Sequence, residues 1–157
     1  MKEFNATNTG NRVIINIASL SEVNKLKNII TKELTKSPLG VKIVGNNKDL
    51  MDANVDITGL IDFLKNFLLG LDGNEEFEEA LFVCLRKCTY KTSLIINHEL
   101  FDTICPEARE DYYEIALACI EENLKPFIKS LVSALKTQLQ QNQYIQKLFQ
   151  NLGGQIE

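Results

Sequence analysis

Apolar residues recur along the chain at two different periods, and the changes of period mark its elements. Val13-Ile14-Ile15-Asn16-Ile17 is β-branched and nearly continuous, which favours a short strand. From Ser19 the spacing lengthens, and Val23, Leu26, Ile30 and Leu34 fall on one helical stripe. Ser19-Leu20-Ser21-Glu22 has the spacing of a capping box, in which hydroxyl and carboxylate each serve an orphan amide of the first turn. Ser37-Pro38-Leu39-Gly40 ends that helix, because proline disfavours helical geometry in the residue before it. Val41-Lys42-Ile43-Val44 then reads as a second short strand, and the turn formers of Gly45-Asn46-Asn47-Lys48-Asp49 place an internal boundary at 45–55.

The helical period dominates the remainder. Ile57, Leu60, Ile61, Leu64, Phe67, Leu68 and Leu71 follow it closely, with an exit at Gly70 and Gly73. Asn74 can cap the next helix, whose first turn is acidic and whose apolar positions are Phe77, Ala80, Leu81, Cys84, Leu85 and Cys88. Residues 89–101 carry the run Ser93-Leu94-Ile95-Ile96, which fits either a brief strand or an apolar-anchored loop. Pro106-Glu107 opens the longest predicted helix, and Tyr112, Ala116, Cys119, Leu124, Phe127, Leu131 and Leu135 trace its apolar face. Pro126 lies inside it and must kink or divide it, since it deletes a backbone hydrogen bond and crowds the preceding turn.

These elements predict a mainly α fold: an irregular helical bundle with a small α/β-like N-terminal part of one or two short strands. Residues 1–12, rich in Asn and containing Gly10, are expected to be a flexible arm. Residues 13–135 form one mainly helical domain, and residues 136–157 a Gln-rich C-terminal helix or tail.

At 157 residues, with 45% apolar and 24% charged side chains, the chain has enough apolar mass for a core of its own. The net charge of −4 and the wide separation of Arg12, Arg86 and Arg109 argue against nucleic acid, which needs clustered cations to replace phosphate counterions. No apolar run approaches the roughly 18 residues of a membrane span, so no membrane partner is expected. The opening Met1-Lys2-Glu3-Phe4-Asn5 leads into no apolar signal core, giving an expectation of cytoplasmic residence with four reduced cysteines.

Candidate chemistry is sparse. Cys84, Cys88, Cys105, Cys119 and His98 are the residue types of a zinc site, but no close C-x₂-C pair exists, and three of the cysteines sit in apolar stripes where a thiol packs as a small hydrophobe. Glu75, Glu76, Glu78 and Glu79 point around a helix rather than at one ligand. No phosphate-binding loop, nucleophile elbow or zinc helix is encoded. The expectation is a protein without catalytic residues, cofactor or metal. Ile145, Leu148, Phe149 and Leu152 recur at helical spacing on an amide-rich segment, and such a stripe needs cover. It folds back on its own domain, pairs with a second copy in a homo-oligomer, or docks in a groove of another protein; the last makes these four the candidate protein-binding residues.

Three stretches carry a resemblance. Ile57-Thr58-Gly59-Leu60, Phe77-Glu78-Glu79-Ala80-Leu81-Phe82-Val83-Cys84-Leu85-Arg86-Lys87-Cys88-Thr89-Tyr90, and Ala108-Arg109-Glu110-Asp111-Tyr112-Tyr113 running on to Asn123-Leu124-Lys125-Pro126-Phe127 resemble the tail assembly chaperones encoded among bacteriophage tail genes. The resemblance spans about residues 55–135. It implies a non-enzymatic helper that binds the tape measure protein, and with it the tail tube protein, in the cytoplasm of the infected bacterium and leaves before the virion is complete. Two other roles suit the same residues: a structural virion component such as a connector or completion protein, and a phage-encoded inhibitor of a host protein.

Overall fold

A computed structural model describes residues 1–36, 65, 68–70, 73–128, 130, 133, 150 and 151. The fold is mainly helical with a small antiparallel sheet. Strands β1 (Lys2–Asn5) and β2 (Arg12–Ile15) form a hairpin, helix α1 spans Leu20–Lys36 and helix α2 Glu75–Leu85. Strands β3 (Thr89–Tyr90) and β4 (Leu94–Ile95) follow, then a π-helical turn at Leu100–Ile104, a 3₁₀ turn at Pro106–Asp111 and helix α3 at Tyr112–Leu124. The sheet order is β1-β2-β3-β4, all antiparallel, so the N-terminal hairpin and the two short strands after α2 meet in one layer.

The helix termini follow from local chemistry. Glu22 Oε2 accepts the Ser19 N–H at 2.8 Å while Ser19 Oγ accepts the Glu22 N–H at 3.4 Å, the reciprocal box read from the sequence. Asn74 Oδ1 accepts the Phe77 N–H at 3.0 Å and starts α2. The described side chains of the first two predicted stripes face inward, Leu34 lying outside them: Val23, Leu26 and Ile30 from α1 meet Phe77, Leu81, Cys84 and Leu85 from α2, all buried. Helix α3 adds Ile115, Ala116, Cys119 and Ile120, and β2 adds Val13 and Ile15. Each fully buried aliphatic side chain in such a core contributes about 1.5–3 kcal/mol.

Several expectations need correction. Residues 1–12, expected as a flexible arm, hold β1 and the turn into β2; the turn closes through Ala6 N–H to Asn11 O and Gly10 N–H to Ala6 O, both 2.8 Å, with Gly10 at φ +73°. β2 stops at Ile15 rather than Ile17, and Ile17 is exposed. Pro106 opens a 3₁₀ turn, and regular α-helix begins only at Tyr112. At Pro126 the helix passes into a 3₁₀ turn, Lys125–Phe127, because proline has no N–H to continue the α ladder. The open choice at 89–101 resolves into β3, β4 and the π-turn. The predicted strand at 41–44 lies outside the described residues, and of the helix predicted from Asp56 only Lys65 and Leu68–Gly70 are described, as helical.

Candidate functional site

The β1–β2 turn lies across the start of α3 and divides its side chains between two environments. Thr9 and Asn11 turn inward. Thr9 Oγ1 donates to Asp111 Oδ2 at 2.5 Å, and the Tyr90 hydroxyl donates to the same oxygen at 2.7 Å. Asn11 Nδ2 donates to the Tyr90 oxygen at 2.9 Å, and the Asn11 N–H reaches Thr9 Oγ1 at 3.2 Å. Tyr90 and Asp111 are both 0% exposed, so a polar lock joins turn, β3 and α3 inside the core. Burial, foremost, holds the Tyr90 phenol above the ordinary tyrosine range. Among the described residues Asp111 Oδ1 has no hydrogen-bond partner.

Thr7 and Asn8 turn outward and tie the hairpin to the surface of α3. Glu114 accepts both the Thr7 N–H at 2.8 Å and the Thr7 hydroxyl at 2.9 Å, and Asn8 Nδ2 donates to Glu110 O at 2.5 Å. Farther along, Lys2 Nζ pairs with Glu121 at 3.1 Å. Beside this seam opens a cleft of about 490 Å³. Leu68, Leu69, Tyr113 and Leu117 give it apolar walls, and Thr7, Asn8, Lys65 and Glu114 are its polar lining. Leu69 is 58% exposed, Tyr113 44%. Its volume falls in the range of pockets that take several side chains or a small ligand.

A second cleft, about 410 Å³ between α1 and α2, differs in chemistry. Glu22, Glu76 and Glu79 and the lone ammonium of Lys25 surround Ile29, Ala80 and Val83. An apolar segment entering it would strip water from four charges, against the two, Lys65 and Glu114, that line the first cleft, and desolvating charge is costly. The first cleft is the better seat for an apolar partner.

The zinc candidates separate into three places. Cys84, Cys88 and Cys119 are buried in the core; burial pushes the Cys84 thiol up to about 11. A hydrogen bond that the Cys119 thiol donates to Cys88, and then burial, hold Cys119 above the ordinary thiol range. His98 lies at the surface, stacked on Phe82 with ring centroids 3.7 Å apart, and its Nδ1 is 3.9 Å from Glu78. Cys105 points instead at Glu107, 3.4 Å away. Among the described residues no group of three or more His, Cys, Asp or Glu side chains is arranged to hold a metal ion.

The four residues chosen from the sequence as candidate binders, Ile145, Leu148, Phe149 and Leu152, lie outside the described residues. Among the described residues no helix is long and apolar enough to cross a membrane. The cleft was missed because its walls come from two segments about forty-five positions apart, with no periodicity linking them. Tyr113 gave a partial signal, as a large aromatic next to a helix's buried face. The residues that carry the family resemblance mostly serve the fold. Tyr90 and Asp111 make the lock, while Asn123 takes the Ala18 N–H at 2.8 Å and donates to Cys119 O at 2.8 Å. The chain matches no family model, no curated protein and no solved structure.

Proposed function

We propose that this chain is a bacteriophage tail assembly chaperone, a non-catalytic carrier that binds apolar helical segments of the tape measure protein in the cytoplasm of the infected bacterium. The observation that supports this reading is the apolar cleft beside α3. A tape measure is a long apolar helical polypeptide, and keeping it soluble before tail tube subunits surround it calls for apolar surface on an otherwise well-hydrated carrier. Leu68, Leu69, Tyr113 and Leu117 offer such a surface, sized for side chains spaced along one face of a helix. The net charge of −4 favours solubility of the loaded carrier. The resemblance of residues 77–90, 108–113 and 123–127 to tail assembly chaperones points the same way.

The test is co-expression of the untagged chain with a tagged tape measure protein from the same genome, followed by affinity capture from the soluble fraction. This reading expects soluble tape measure with the chain bound. An insoluble tape measure, or a soluble one that captures nothing, contradicts it. Presence of the chain in purified virions at fixed stoichiometry would instead identify a structural component.

A further inference from the structure

Lys91 and Cys105 come from separate elements and meet on a single oxygen. Lys91 opens the three-residue loop between β3 and β4 with φ of 51°, and Thr92 follows at 77°. Two successive non-glycine residues in the left-handed region form an unusual loop. Its amide is fixed by a 2.8 Å hydrogen bond to Arg12 O. From that position Lys91 Nζ donates to Glu107 Oε1, at the first turn of the Pro106–Asp111 segment. The Cys105 thiol, one residue before the segment, donates to the same Oε1 from 3.4 Å. An amine and a thiol therefore stand side by side on one carboxylate.

Accessibility separates this thiol from the others. Cys84, Cys88 and Cys119 are 0% exposed, whereas Cys105 keeps 5% and lies beneath two side chains that are themselves open to solvent. A small oxidant reaches Cys105 by displacing a surface lysine; it reaches the other three only through the packed core.

We propose that Cys105 is an oxidative modification site, and that Lys91 captures its oxidised sulfur in a covalent nitrogen–sulfur link that fastens the β3–β4 loop to the 106–111 turn. The oxidant is a peroxide. In the first step the Cys105 sulfur attacks a peroxide oxygen: a sulfur–oxygen bond forms, the oxygen–oxygen bond breaks and water leaves. Sulfur is oxidised by two electrons to the sulfenic acid and hydrogen peroxide is reduced. In the second step the Lys91 nitrogen lone pair attacks that sulfur and the sulfur–oxygen bond breaks. The departing hydroxide takes the proton lost by the amine, relayed by Glu107, and leaves as a second water. The thiol, the amine and one hydrogen peroxide thus become the link and two waters. Glu107 holds Lys91 above the ordinary lysine range, so the amine is protonated at neutral pH and the capture step accelerates as pH rises.

The experiment treats the full chain with hydrogen peroxide and follows intact mass and a non-reducing peptide map. The expected product is lighter than the reduced chain by two hydrogens, joins the peptides that contain Lys91 and Cys105, and reverts with a thiol reductant. Its yield rises with pH toward the lysine range. Lys91→Arg, a surface change, abolishes the link and leaves Cys105 as a sulfenic acid trapped by dimedone; Cys105→Ser removes both signals. Oxidation of wild-type Cys105 with no link to Lys91 overturns the proposal. So does oxidation confined to Cys84, Cys88 or Cys119, whose disulfide would show the same mass but a different peptide map.

Discussion

The two sides of the β1–β2 turn are built on opposite principles. On the inner side, half-buried Thr9 and Asn11 bond to buried Tyr90 and Asp111, and of their buried atoms Asp111 Oδ1 alone is left without a partner among the described residues. On the outer side, exposed Leu69 and Tyr113 and half-buried Leu117 leave apolar surface beside a rim where Glu114 is occupied by Thr7. Buried polar groups add little net stability when matched but cost heavily when one partner is removed. Exposed apolar groups contribute little to stability and gain most when another molecule covers them. The inner side should therefore govern whether the chain folds, and the outer side what it binds.

The largest effect should come from breaking the lock at its centre. Asp111→Ala leaves the Tyr90 and Thr9 hydroxyls without their common acceptor in a dry site, and should cost roughly 3 kcal/mol or more in urea unfolding. A loss below about 0.5 kcal/mol would mean that the lock is ornamental. Tyr90→Phe removes one donor to Asp111 and the acceptor of Asn11 Nδ2 but leaves Thr9 on Asp111, and should cost about 1–3 kcal/mol, with the midpoint moving and the slope unchanged.

The same phenol gives a pH test. Its folded pKa is raised, so its contribution is fully present below the unfolded value near 10 and is lost as pH rises through the folded value. Stability should decline on the alkaline side more steeply in the wild type than in Tyr90→Phe; identical alkaline limbs would refute that assignment. The smallest effect on folding should come from the outer side. Leu69→Asp changes a side chain that is 58% exposed and should shift stability by no more than about 0.5 kcal/mol.

What could be read from the sequence divides along similar lines. Ser19-Glu22 and Asn74 announced their caps because capping chemistry acts over three residues, and the stripes of α1 and α2 announced their buried faces because helical period is local. The lock was not legible. Thr9 and Asp111 are 102 positions apart, Thr9 and Tyr90 81, and nothing in their neighbourhoods specifies a partner. Strand β1 failed for the same reason: Lys2–Asn5 is a poor strand former alone and is held by its ladder to β2 and by Lys2 on Glu121. The cleft likewise exists only after folding has brought Leu68 and Leu69 to α3. The tail stripe at Ile145, Leu148, Phe149 and Leu152, legible by period, remains a rival contact surface.

The most direct measurement is capture of the chain by a tagged tape measure protein on co-expression, comparing wild type with Leu69→Asp and Phe149→Asp, each first shown to fold by its urea midpoint. The account predicts that Leu69→Asp folds normally and loses capture by about tenfold or more, the equivalent of some 1.4 kcal/mol, while Phe149→Asp is captured like the wild type. Undiminished capture of Leu69→Asp, with loss confined to Phe149→Asp, would contradict it and move the contact from the cleft to the tail.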